Sequence, residues 1–174
     1  MTATVTQHAV GFESLDALEG LDALCVFLGE DDRPLPGAAG YVDWRLCGRL
    51  SRLLQEGFFQ GQVGDSLLVP TDGAIPAPRL FVLGVGRSRG LTEAALADVL
   101  SRAAGMLSRA GVQAVALELP AGAQGGGGEG GMSEEARADV LQRAFLPSFR
   151  GRRVALVLPA SPGERSAGRG PAAR

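Results

Sequence analysis

Apolar positions in this chain come in short blocks set off by glycine, proline and acidic clusters, and the spacing inside each block predicts its element. Leu21-Asp22-Ala23-Leu24-Cys25-Val26-Phe27-Leu28 is an apolar run closed by the turn-prone Gly29-Glu30-Asp31-Asp32, which predicts a buried strand. Pro34 and Pro36 keep the following residues extended, and Gly37 to Gly40 permit a close turn into a helix. In that helix Trp44, Cys47, Leu50 and Leu54 recur at spacings of three and four, with Leu46 and Leu53 widening the face. Arg45, Arg49, Arg52 and Glu56 fall mostly on the other side, and Gly57 is placed to end it. Trp44, Phe58 and Phe59 are expected in the core, with an exposed Phe58-Phe59 knob as the alternative.

Asp65 to Pro70 and Arg79 to Val85 are further strand runs, and Pro76 and Pro78 confine the residues between them to a loop or edge. Thr92 is a helix N-cap with Glu93 at the positive end. Leu96, Val99, Leu100, Ala103, Met106 and Leu107 form the buried face, and Gly111 closes the helix. Val112 to Leu119 reads as a strand, so residues 79–119 form a crossover unit. Ser133 caps another helix with Val140, Leu141, Ala144 and Phe145 on one face, and Arg153 to Leu158 is the last strand. Such alternation predicts an α/β fold, a three-layer α/β/α sandwich around a mixed, mainly parallel sheet. Residues 1–19 are expected to be a mobile N-terminal segment and 20–159 the domain. Its glycine-rich stretch 120–131 reads as a flexible loop, and 160–174 as a disordered, Arg-containing tail.

Composition narrows the chemistry. At 174 residues the chain is one domain's length, and its 45% apolar content contains no run long enough to predict a membrane span. Met1 to Gly11 lacks the basic-then-apolar order of a secretory signal, so a cytoplasmic location is expected. Cys25 and Cys47 are both expected as small buried hydrophobes in a reducing compartment. All 17 basic residues are Arg, and Asn is also absent. Schiff-base, P-loop and general-base lysine chemistry are thereby excluded. Charge is segregated, with seven acids and no Arg in residues 1–32 against six Arg and only Glu164 in 150–174. That basic end could contact phosphates, but the formal net charge of −2 argues against a nucleic-acid surface over the whole domain.

The helix Asp43-Trp44-Arg45-Leu46-Cys47-Gly48-Arg49-Leu50-Ser51-Arg52-Leu53-Leu54, the segment Phe58 to Pro70, and Phe81 to Gly86 followed by Leu91 to Leu107 resemble the N-terminal domain of the M17 leucyl aminopeptidases. In that family a helix with a Gly-Xaa-Leu-Ser pattern precedes a glycine-containing loop and strand, and a strand ending in Gly-Xaa-Gly leads into the next helix. Here these are Gly48-Arg49-Leu50-Ser51, Gly61 to Pro70 and Gly84-Val85-Gly86, within a likeness spanning roughly residues 20–158. The resemblance implies a macrodomain-like fold. It also implies assembly, since the family's enzymes are hexamers, so a homo-oligomer or a protein partner is expected. Family catalysis resides in a C-terminal domain binding two metal ions through Asp, Glu and Lys, with a signature of the type Asn-Thr-Asp-Ala-Glu-Gly-Arg-Leu. None of it can be placed in a sequence without Lys or Asn, so no peptidase activity, metal or cofactor is expected.

Two glycine turns are the ligand candidates: Gly37, Ala38, Ala39 and Gly40 with Asp43, and Gly84, Val85, Gly86 and Arg87. Open α/β sheets bind ligands at such strand and helix ends, where N–H groups face anions. Resemblance to the macrodomain, whose paired loops hold ADP-ribose, suggests a nucleotide-type pocket or a weak hydrolase of such a ligand. The typical Asn-Ala-Ala-Asn segment is absent, and plain structural turns are the other reading. Glu30-Asp31-Asp32 reads as a solvated turn rather than a metal site. His8 is read as incidental, which leaves Ser51 and Ser66 without an activating base.

Overall fold

The computed structural model describes residues 3–9, 15–120 and 132–158. Alternation along one central strand, β2 (Ala23–Leu28), sets the layers. Ala23, Cys25 and Phe27 belong to one core cluster, Leu24, Val26 and Leu28 to another, and all six are buried. A strand buried on both faces reads as a continuous apolar run, which is why this segment stands out in the sequence. Around it lie β1 (Thr4–Ala9), β3 (Ser66–Pro70), β4 (Arg79–Gly84), β5 (Ala114–Glu118) and β6 (Arg153–Leu158). The sheet order is β1-β6-β5-β2-β4-β3, parallel throughout except for the antiparallel β3–β4 pair.

Helices α1 (Gly37–Arg45) and α2 (Arg49–Gln55) cover one face. The other carries α3 (Glu93–Arg109), α4 (Glu134–Ala144) and a 3-10 turn at Leu146–Phe149. This is the expected three-layer α/β/α sandwich. Thr92 caps α3 by accepting from the Ala95 N–H at 3.2 Å, and Ser133 caps α4 by accepting from Ala136 at 3.1 Å. The unit over residues 79–119 is present as β4–α3–β5, with β2 lying between its two strands. No helix among the described residues is long and apolar enough to cross a membrane.

Three expectations are corrected. The segment 1–19 is not simply a mobile lead-in: Thr4–Ala9 is an edge strand in register with Arg153–Leu158, and Leu15 and Leu18 are core residues. Its Thr-Val-Thr-Gln-His-Ala sequence is too polar to read as a buried strand; an edge strand is held by its ladder, not by burial of both faces. His8 lies in this strand, its Nε2 3.1 Å from Thr6 Oγ1. Second, the helix over residues 41–56 is two helices, broken where Cys47 (φ 53°) and Gly48 (φ 76°) adopt left-handed conformations. Periodicity across the break is therefore lost, and Trp44 (64% exposed) and Cys47 face outward. Third, Phe58 and Phe59 separate: Phe59 is buried, whereas Phe58 is 70% exposed. Residues 121–131 and 160–174 lie outside the described residues.

Candidate functional site

The C-terminal ends of β2, β4 and β5 meet where the chain leaves in opposite directions: β2 runs to α1 on one face, while β4 leads to α3 on the other. Such a divergence makes the crevice in which open α/β sheets hold ligands. Both glycine turns from the sequence reading converge here, and both are occupied by the protein's own groups.

At the first turn the decisive residue is Glu118, the last residue of β5, which is 9% exposed. Its Oε2 accepts the Ala38 N–H at 2.9 Å, and the Ala39 N–H also bonds the carboxylate. Pro36 at the N-cap offers no side-chain acceptor, so the acid eighty residues downstream supplies the acceptor that the α1 N-terminus lacks. Gly37 makes this possible: its φ is 50°, and a Cβ there would collide with the Glu118 carboxylate. Burial raises the Glu118 pKa to about 7, the two backbone N–H bonds oppose that rise, and nearby Asp32 adds to it. Asp43, also a candidate, points elsewhere. Its carboxylate accepts the Ser51 N–H at 3.0 Å and the Ser51 hydroxyl at 2.5 Å, tying α1 to α2 across the break at Cys47-Gly48.

At the second turn the backbone is stitched to its neighbours. Gly84 N–H donates to Asp65 C=O, Val85 to Leu28, Gly86 to Gly61, and Glu30 N–H returns to Gly86 C=O, at 2.8 to 3.1 Å. Glycines 29, 61 and 84 approach so closely that a Cβ on any of them would meet another loop's backbone. Asp31 and Asp32 complete the closure. Asp31 accepts from Ser88 N–H (2.7 Å) and Arg89 N–H (3.2 Å), and Asp32 from Gly29 N–H (2.7 Å) and the Ser88 hydroxyl (2.6 Å). Burial works against the Asp31 charge, but the Ser88 and Arg89 N–H groups hold its carboxyl below the ordinary value. Glu30-Asp31-Asp32 is therefore a loop staple, and no metal-holding group of three or more His, Cys, Asp or Glu occurs among the described residues. Arg87 stands outside this closure, in an open groove of about 410 Å³ lined by Glu30, Asp31, Arg87 and Arg89.

The remaining chemistry is structural. Burial pushes the Cys25 thiol far up, so it is unreactive. Arg152 sits over the Phe149 ring and donates to the Ser108 hydroxyl at 3.1 Å, while Arg153 donates to Gly20 C=O.

The family model for the cytosol aminopeptidase family, N-terminal domain, matches residues 23–144. The chain belongs to that family. A probable cytosol aminopeptidase of Halorhodospira halophila is 34% identical over 97 residues, 55% of this chain and 19% of the relative. The match thus spans about a fifth of that relative's length, and the region matched by the family model is the N-terminal domain alone. Among solved structures, a tomato leucine aminopeptidase mutant superposes with a TM-score of 0.62 at 17% identity, over 94% of this chain and 35% of that one. A Trypanosoma brucei macrodomain in complex with ADP superposes with a TM-score of 0.61 at 15% identity, over 89% of this chain and 63% of that one. At those identities the likeness is one of fold, and the fold is the macrodomain-like one the resemblance implied.

Sequence reasoning missed Glu118. Its signal was one acid inside the apolar run Val112 to Leu119, on the side of β5 that alternation assigns to the α1 face with Ala116.

Proposed function

We propose that this N-terminal-type domain is a non-catalytic binding module that works through protein contacts. One observation carries the reading: the backbone N–H groups that would cradle an anion at the sheet's C-terminal end already have internal acceptors. Ala38 and Ala39 donate to Glu118, Gly29 to Asp32, Ser88 and Arg89 to Asp31, and Gly84, Val85 and Gly86 to carbonyls. A phosphate entering there must displace a carboxylate and leave it beside the new charge, which is costly in a desolvated crevice. A second reading, a macrodomain-like binder of an ADP-ribose-type nucleotide, draws support from the ADP of the similar Trypanosoma brucei structure and from Arg87 and Arg89 in the open groove.

Calorimetric titration of the full chain with ADP-ribose separates the two. The first reading expects no heat at millimolar ligand. Saturable heat that disappears in Arg87→Ala/Arg89→Ala would replace it with the second. Cross-linking in the native cell extract tests the contact itself, using carboxylate-directed reagents because the chain has no lysine. Cross-links to an identified protein or to a second copy, from residues outside the crevice, are the expected result; their absence would remove the reading.

A further inference from the structure

Strand β3 ends the sheet on one side, and among the described residues nothing pairs with its outer edge. Hydrogen-bonding direction alternates along an antiparallel strand, and here two bonds fix the phase: Gly84 N–H to Asp65 C=O and Thr71 N–H to Pro78 C=O. Asp65, Leu67, Val69 and Thr71 therefore turn their peptide groups toward β4, while Ser66, Leu68 and Pro70 turn theirs outward. Pro70 has no N–H, and its C=O accepts from the Arg49 guanidinium at 3.2 Å. The open edge thus reduces to the N–H and C=O of two residues, Ser66 and Leu68.

Among the described residues, the exposed large apolar side chains include Leu68 on β3 itself, at 56% exposure; Phe58 and Val63 belong to the loop before the strand, Val63 lying beside Gly86 at the sheet's C-terminal end. The opposite edge, β1, is also unpaired among the described residues, but it exposes Thr4, Thr6 and Gln7 around Val5. An edge that is both unpaired and apolar is the kind native domains cover.

We propose that β3 is a self-pairing edge, through which two copies of this chain join antiparallel into one continuous sheet. The inference rests on the protein-contact reading above and names its surface and partner. A two-fold axis through Leu67 sets Ser66 of each copy opposite Leu68 of the other. All four outward groups of each copy then enter four hydrogen bonds, and Pro70 is not asked for a donor it lacks. Leu67, which packs at the margin of the α1/α2 core, meets Leu67 of the second copy at the close spacing of a non-hydrogen-bonded pair. On the other face the two Leu68 side chains become diagonal neighbours. No like charges are opposed. Asp65 falls opposite Val69 of the second copy, and its carboxylate is already turned back onto the Gln60 and Gln62 N–H groups at 3.0 and 3.1 Å. An isologous contact of this kind closes at two copies.

The experiment is sedimentation equilibrium on the full chain across a dilution series, with residue-resolved amide exchange on the same samples. A monomer–dimer equilibrium is expected in which the Ser66 and Leu68 amides gain protection with concentration, while those of Leu67 and Val69 are protected throughout. Leu68→Lys places two cations across the axis and should raise the dissociation constant roughly tenfold or more, with circular dichroism and melting temperature unchanged. Ser66→Pro, at the first residue of the strand, removes an outward donor and should act in the same direction. Val5→Lys on the opposite edge should leave the constant where it was. A monomer at every concentration overturns the pairing, as does a dimer whose Leu68 amide exchanges freely. A monomer with Leu68 protected at all dilutions overturns it too, because the chain then covers its own edge. None of these results involves ADP-ribose or an identified partner protein, so the pairing can fail while the protein-contact reading stands.

Discussion

The C-terminal end of the sheet and its β3 edge are both rich in backbone N–H and C=O groups, and they handle them in opposite ways. At the strand ends, three carboxylates and a set of backbone carbonyls satisfy the N–H groups from within. At the β3 edge, Ser66 and Leu68 turn theirs outward, beside the exposed Leu68 side chain. Buried polar groups must be paired, whereas edge groups have water as a fallback until a partner arrives. A glycine turn is thus poor evidence for a ligand until its N–H groups are accounted for. Where they are spent, what remains available for contact lies elsewhere on the molecule.

Closure of the crevice is most exposed to substitution at Gly37. Gly37→Val must adopt a positive φ with a β-branched side chain and drive its Cβ into the Glu118 carboxylate. A loss on the order of 3–4 kcal/mol in urea unfolding is expected. Adding Glu118→Ala should return part of that loss, because the collision goes with the carboxylate. Equal losses in the single and double variants would mean that Glu118 does not fill the turn.

The next effect is in pH. Glu118 titrates near 7 in the folded chain against an ordinary 4.5, so the folded state keeps a proton that the unfolded chain has released. Its contribution is fully present below about pH 4.5 and lost as pH rises through about 7, a fall on the order of 3 kcal/mol. Glu118→Gln keeps an acceptor for Ala38 and removes the titration. Its stability should therefore lose this slope, and an unchanged slope would place the titrating group elsewhere.

Asp31 and Ser88 staple the loops with a smaller effect. Ser88→Ala removes the hydroxyl bond to Asp32 but leaves the Ser88 N–H on Asp31. A loss of about 1–1.5 kcal/mol is expected, and it should also speed amide exchange at Gly29, whose N–H shares the Asp32 carboxylate. Retained exchange rates would show that the two loops are held by their backbone bonds alone.

How much of this was legible depended on range. Strands β2 and β4, buried on both faces, are apolar runs, and the caps Thr92 and Ser133 are local signals, so their elements could be read directly. Strand β1 could not, because its polar residues are held by a ladder to β6 about 150 residues away. The break at Cys47-Gly48 was hidden as well. Gly48 is the only local sign of it, and the Asp43–Ser51 bonds that stabilise it depend on the broken geometry. Both candidate turns were legible as turns at strand or helix ends, but Glu118 and Gly37 meet only after folding, so the occupation of the first turn was invisible.

Leu68 supplies the smallest effect on stability and the sharpest contrast. Its counterpart in the comparison is Phe59, which is buried in the core on the α1/α2 side of the sheet, whereas the Leu68 side chain is more than half exposed. Under dilute conditions, where no second copy is engaged, Leu68→Lys removes little buried area and no hydrogen bond to β4, because the Leu68 peptide groups point away from that strand. Urea unfolding should shift by no more than about 0.5 kcal/mol, against about 3–5 kcal/mol for Phe59→Ala. If the lysine instead costs as much as a core truncation at high dilution, the Leu68 side chain is serving the monomer's own core. The edge would then belong with the closed crevice, as a surface already spent on folding.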